Sequence, residues 1–333
     1  MKKAVIIIAI VLIAVGLILF VGALLLGGNL KTKDLTKKTY AVAEAFTGIR
    51  IDTDLSDVQL VRSTDGACSV VTQEADKLTY SVGVQDGTLV IKSEDTRNWL
   101  DMLIPTRANQ VTVSLPSAAY AALSVKAETG KLSIPNDFTF DRIEIVCSTG
   151  DVQCGASATG ALSIVTSTGD ITVSGSTAQT LQLSASTGKI DLKDVAANTA
   201  ALSVSTGNVT VNGAKIDGAV TLKVSTGRAE ISDLTADSFV TEGSTGRLTL
   251  KNTVVQTMMN IVRSTGDVRF EACDAETITV KTGTGDVTGT LRSDKIIFAN
   301  THTGKVRVPQ SVTGGRCEIT TDTGDIEIEI VAP

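Results

Sequence analysis

Residues Leu162–Val173 read LSIVTSTGDITV: two short runs of alternating apolar and polar residues that meet at Thr168-Gly169. Apolar residues at every second position are the mark of half-buried strands, and a Thr-Gly pair between two such runs is a corner. The corner returns at Thr129, Thr149, Thr168, Thr187, Thr206, Thr226, Thr245, Thr265, Thr284, Thr303 and Thr323, always 19 or 20 residues apart. A fixed period of that size belongs to stacked repeats, whose units are too small to bury an apolar face alone. The corner glycines, Gly130, Gly150, Gly169, Gly188, Gly207, Gly227, Gly246, Gly266, Gly285, Gly304 and Gly324, are the candidate structural turns.

Counted from each repeat threonine, apolar columns lie six, four and two residues before it and three and five after. The rung at Thr187 supplies Leu181, Leu183, Ala185, Ile190 and Leu192. Nineteen residues at about 3.3 Å each measure roughly 63 Å, which fits one flattened coil with two faces of about 20 Å held about 10 Å apart. A meander of hairpins is the rival. It needs a positive φ at a β-branched threonine and an open sheet of about twenty strands, both disfavoured. The reading is an all-β, β-helix-like solenoid of about eleven rungs with type II corners at Thr-Gly.

The chain divides as follows. Residues 1–3 are a short tail, and 4–26 are an apolar run of 23, long enough to cross a hydrocarbon core of about 30 Å as a helix. A cleaved signal peptide is the competing reading of that run, although Leu24–Leu26 follow the one plausible cut after Ala23. Residues 27–46 read as a linker. Residues 47–121 form a degenerate first rung and β cap, with Ile49–Leu60 aligned on Leu162–Val173, Ser56 in place of glycine, and a turn at Asp86-Gly87. Residues 122–333 are the repeat solenoid. Within the cap, Glu94–Pro105 breaks the pattern and carries the sole tryptophan. Trp99, Leu100 and Met102 there are candidates for an apolar plug over the solenoid end or for a partner contact.

Composition excludes several functions. A net charge of −6 with 3% aromatics gives neither a basic surface nor stacking platforms for nucleic acid. Five cysteines without a C-x-x-C pair argue against a disulfide framework or zinc site, and Cys147, Cys154 and Cys317 fall in the apolar columns as small hydrophobes. The residue after each glycine forms a line of mixed sign (Lys131, Asp151, Asp170, Lys189, Asn208, Arg228, Arg247, Asp267, Asp286, Lys305, Asp325), unlike a calcium column. The one histidine, His302, sits at a variable position, and neither Asp151/Asp170 nor Asp267/Asp286 stands out as an acid pair. No catalytic residue, metal site or cofactor is expected.

The STGD units Ser148–Asp151, Ser167–Asp170 and Ser264–Asp267, with VKTGTGDVTGTL (Val280–Leu291) and GGRCEITTDTGDIEIEI (Gly314–Ile330), resemble the DUF4097 family of bacterial β-strand-repeat proteins, also described as adhesin domains. The resemblance covers about Thr47 to Ile330, and the N-terminal run is similar to that of membrane-anchored Gram-positive members. It implies an extracytoplasmic repeat domain, which Lys2 and Lys3 on one side and Lys31, Lys33, Lys37 and Lys38 on the other leave open. The expectation is a non-enzymatic, single-pass cell-envelope protein. Its Ser/Thr-rich rod would serve as an adhesin-like binding or scaffold surface toward a cell-wall polymer or envelope protein. Envelope-stress sensing through a membrane partner and a polysaccharide-active enzyme are the alternatives. Asp325, Glu327 and Glu329 place outward charge on the last rung, an edge protection that favours a monomer.

Overall fold

The computed structural model describes residues 15–17, 22, 35–75, 77–96 and 109–331. The expected membrane span falls almost wholly outside these, and among the described residues no helix is long and apolar enough to cross a membrane. Trp99, Leu100 and Met102 also lie outside them.

The described chain is a β-solenoid. Repeat strands pair in parallel with their counterparts one rung away, and the threonines keep strict register: Thr168 on Thr187, Thr187 on Thr206, Thr206 on Thr226, Thr226 on Thr245. Parallel pairing excludes the hairpin meander, which would be antiparallel throughout. The eleven corners stack in one column, giving about ten turns between them. The inward columns are dry: Leu181, Ile190, Leu222 and Ala229 are all fully buried.

Each rung has three sides, where two were expected. Along Ile190–Thr206 the inward residues are Ile190 and Leu192, then Val195 and Ala197, then Ala200, Leu202 and Val204. Pairs of outward residues at Lys193-Asp194, Asn198-Thr199 and Ser205-Thr206 separate these runs. Strict alternation would keep one face inward, so each doubled outward pair is a bend that turns a new side toward the axis. The bend between the first and second of these sides is made by a left-handed residue whose identity changes from rung to rung: Gly175, Asp194, Gly213, Asp233, Asn252 and Ala272, at φ between 47° and 71°.

The Thr-Gly corners also differ from type II turns. Their glycines have φ between 132° and 155°, a region open to glycine alone, where a type II turn would place about +80°. The conformation follows from stacking. A Cβ on any corner glycine would lie 1.7–2.3 Å from the carbonyl oxygen of the corner residue one rung away.

The two ends break chain order. At the start, β1 (Thr36–Val42), β2 (Gly48–Arg62), β3 (Cys68–Glu74), β4 (Leu78–Gln85), β5 (Thr88–Asp95) and β6 (Asn109–Leu115) form the cap. β2 is the degenerate rung and pairs with Ala119–Thr129 in the register read from the sequence, Leu55 opposite Thr129. Outside it, β5 and β6 form a further parallel layer. Antiparallel strands then close that layer: β4 on β5, through a hairpin with Asp86 and Gly87 both at positive φ, and β3 followed by β1 on β6.

At the other end, Thr277–Thr284 pairs with Gly315–Thr323 and not with the intervening Lys295–Thr303, which lies one layer further out. The amide of Gly285 accordingly donates to Thr323 O at 2.9 Å, and that of Gly324 to Thr303 O at 2.9 Å. The last rung of the sequence is therefore slotted between the two before it. This corrects the edge reading above. Asp325, Glu327 and Glu329 belong to an interior rung, and the open edge is Lys295–Arg307, with Phe298, Val306 and Arg307 exposed.

All five cysteines are buried and unpaired. Burial pushes the thiols of Cys154 and Cys317 up to about 12, so they remain protonated and pack as small apolar groups, as their column positions indicate.

Candidate functional site

The repeat builds one continuous outer feature, the edge along the Thr-Gly corners. Over seven successive rungs the residue before each repeat threonine is serine: Ser148, Ser167, Ser186, Ser205, Ser225, Ser244 and Ser264. All seven are exposed, as are the threonines beside them from Thr149 to Thr265. Parallel strands lie about 4.8 Å apart, so the edge presents two rows of hydroxyls at that spacing over roughly 30 Å. Beside the serines, the outward residues of three middle rungs are uncharged: Ser163 and Val165, Gln182 and Ser184, Ala201 and Ser203.

The line after the glycines has a role that the sequence reading missed. Wherever Asp or Asn stands there, its side-chain oxygen accepts the backbone amide of the equivalent residue in the next layer. Asp151 Oδ1 receives Asp170 N at 2.9 Å, Asp170 Oδ1 receives Lys189 N at 2.8 Å, and Asn208 Oδ1 receives Arg228 N at 3.0 Å. Asp286 and Asp325 do the same for Asp325 and Lys305, both at 2.8 Å. The carboxylates are rivets between layers, and the signal for them is that every acceptor on the line is Asp or Asn, never the longer Glu or Gln. Asp151/Asp170 and Asp267/Asp286 are neighbours as expected. The slotted rung adds Asp325 to the second pair, making three acids in succession. His302 is exposed on the outermost rung.

Two cations adjoin at one place on this line. Arg228 and Arg247 sit on successive rungs beside an open groove of about 550 Å³ floored by Gly227, Gly246 and Gly266. Arg247 pairs with Asp267 at 3.0 Å, and Arg228 lies 3.9 Å from Glu230. These are exposed pairs of modest energy. Among the described residues no group of three or more His, Cys, Asp or Glu is placed to hold a metal ion.

The family model described as Toastrack DUF4097 matches residues 46–233, more than half of the chain. The chain belongs to the Toastrack family. The matched part of the Toastrack chain takes in β2 to β6 of the cap and the first six Thr-Gly corners. Solved structures similar to it include two described as a "putative adhesin". One, from Bacteroides fragilis, shares 15% identity over 89% of this chain and 98% of its own, with a TM-score of 0.36. The other, from Parabacteroides distasonis, shares 16% identity over 89% and 97%, with a TM-score of 0.41. No curated protein matches the chain.

Proposed function

We propose that this Toastrack protein is a non-enzymatic, single-pass envelope protein whose rod, held outside the membrane, is an adhesin-like binding or scaffold surface for a cell-wall polymer or an envelope protein. The observation that carries the reading is the double row of exposed hydroxyls at one fixed spacing on a rigid scaffold. Such a face makes many weak, equivalent contacts, and these sum through effective concentration when the partner is itself repetitive. It does not resemble the enclosed apolar pocket that a small-molecule site requires. The acids along the edge support the non-enzymatic reading too. One oxygen of each, Oδ1, is held by a backbone amide within the stack, whereas a glycan-cleaving pair must be free to exchange protons with its substrate.

The position of the rod is tested by treating intact cells with protease and blotting for a tag placed after Pro333. The expected result is loss of the tag from unlysed cells while a cytoplasmic control survives. Protection of the tag until lysis would put the rod inside and remove the envelope reading.

A further inference from the structure

The two ends of the rod are finished differently. Antiparallel strands close the N-terminal end, β4 on β5 and β3 on β6. At the other end Lys295–Thr303 pairs with Gly315–Thr323 on one side, and among the described residues no strand pairs with its outer side. The core is open there as well. Ile297 and Ala299 are partly uncovered, whereas their column mates Ile278, Val280, Cys317 and Ile319 are fully buried. Val306 is 42% exposed, against 0% for its column mates Ile326 and Val287. The strand also lacks the devices that blunt an edge, having neither proline nor bulge. Its one inward charge, Lys295, is buried and neutralised by Asp274 at 2.7 Å.

A row of unpaired N–H and C=O groups is complementary to another extended strand. This edge is complementary to itself. Antiparallel pairing with a second copy about Ala299 sets Ala299 opposite Ala299, Ile297 opposite Thr301 and Phe298 opposite Asn300. Residues that face the core in one copy then oppose residues that face it in the other, and the open end of each core meets its equivalent. The charges agree with this order. Asp294 stands just before the strand and Lys305 just after it, both exposed and neither in an ion pair among the described residues. Antiparallel pairing lays Asp294 of each copy beside Lys305 of the other.

We propose that this edge is a homophilic interface, joining two copies tail to tail about a two-fold axis at Ala299. The N-terminal ends then lie at opposite ends of a double rod roughly 100 Å long. On the envelope reading above, that shape bridges two opposing surfaces. The pairing itself is measured on the purified full chain in mild detergent, so its failure is distinct from failure of the envelope reading. Sedimentation is expected to show a reversible dimer, weakened at least about tenfold by Lys305→Asp or by Asp294→Lys and restored to within about threefold when the two are combined. Ala299→Cys is expected to form an intermolecular disulfide on mild oxidation, because directly opposed residues lie about 5 Å apart. His302→Cys, roughly 20 Å from its own copy, is expected to form none. The five native cysteines are buried and do not compete. A parent chain monomeric throughout the micromolar range, which would leave the edge to some other partner, would overturn the proposal. So would a dimer indifferent to the charge reversals, a combined variant no better than either single one, or crosslinking at position 302 as fast as at 299.

Discussion

Gly207→Ala is expected to destabilise the rod by roughly 3–5 kcal/mol, through backbone strain and overpacking together. Gly207 has φ 147°, which side-chain-bearing residues hardly adopt, and an added Cβ would lie 1.8 Å from Gly188 O in the neighbouring layer. That oxygen belongs to backbone held in parallel pairing on both sides, so the layers must part to admit a methyl group. Gly175→Ala is the matched comparison. Gly175 is left-handed at φ 63° with nothing within 4 Å of its would-be Cβ, so only the conformational cost of about 1 kcal/mol applies. Urea unfolding of the two variants separates the causes. Similar losses would mean that backbone strain alone governs the corner and that the contact between stacked glycines is unimportant.

A stop codon at Gln310 is expected to have a larger effect than the removal of one terminal rung from a simple stack. It deletes the slotted layer Gly315–Ile330 with its buried Cys317, Ile319, Ile326 and Ile328, a loss on the order of 8 kcal/mol of apolar burial. It also leaves Lys295–Arg307 without the layer that both of its strands pair with. The expected product is a chain cut rapidly by protease between residues 286 and 309, at least tenfold faster than the parent, while the rungs before Thr284 survive. A truncated chain as resistant as the parent across residues 286–309 would show that Lys295–Arg307 packs directly on Thr277–Leu291, contrary to the pairing seen here.

Much of this architecture was legible in the sequence because stacking forces each column to keep its character. The period of the Thr-Gly pairs located every corner, and the match of Ile49–Leu60 to Leu162–Val173 placed β2 in register before any pairing was known. The third side escaped because its bend is specified by a backbone conformation and not by a residue type. Glycine, aspartate, asparagine and even alanine fill it at Gly175, Asp194, Asn252 and Ala272.

The slotted rung escaped for a different reason. Ala299 and Ile319 are both acceptable neighbours for Val280, so a repeat that makes all rungs alike cannot say which one follows. At the edge, the alternation of charge was visible, but the reason for it was not. Asp and Asn at those positions reach a backbone amide that Lys and Arg cannot bind, and the acids therefore rivet layers.

Binding of a repetitive envelope partner by the hydroxyl face is measured as retention of the labelled full chain on purified cell-wall sacculi and whole cells, compared with a variant carrying Ser186→Glu, Ser205→Lys and Ser225→Glu. These three exposed positions lie on consecutive rungs, and alternating the new charges keeps cross-strand neighbours complementary, so the fold is retained. The account predicts retention by the parent chain and at least a tenfold loss in the variant. Equal retention of parent and variant, or none of the parent above a soluble control, would contradict it.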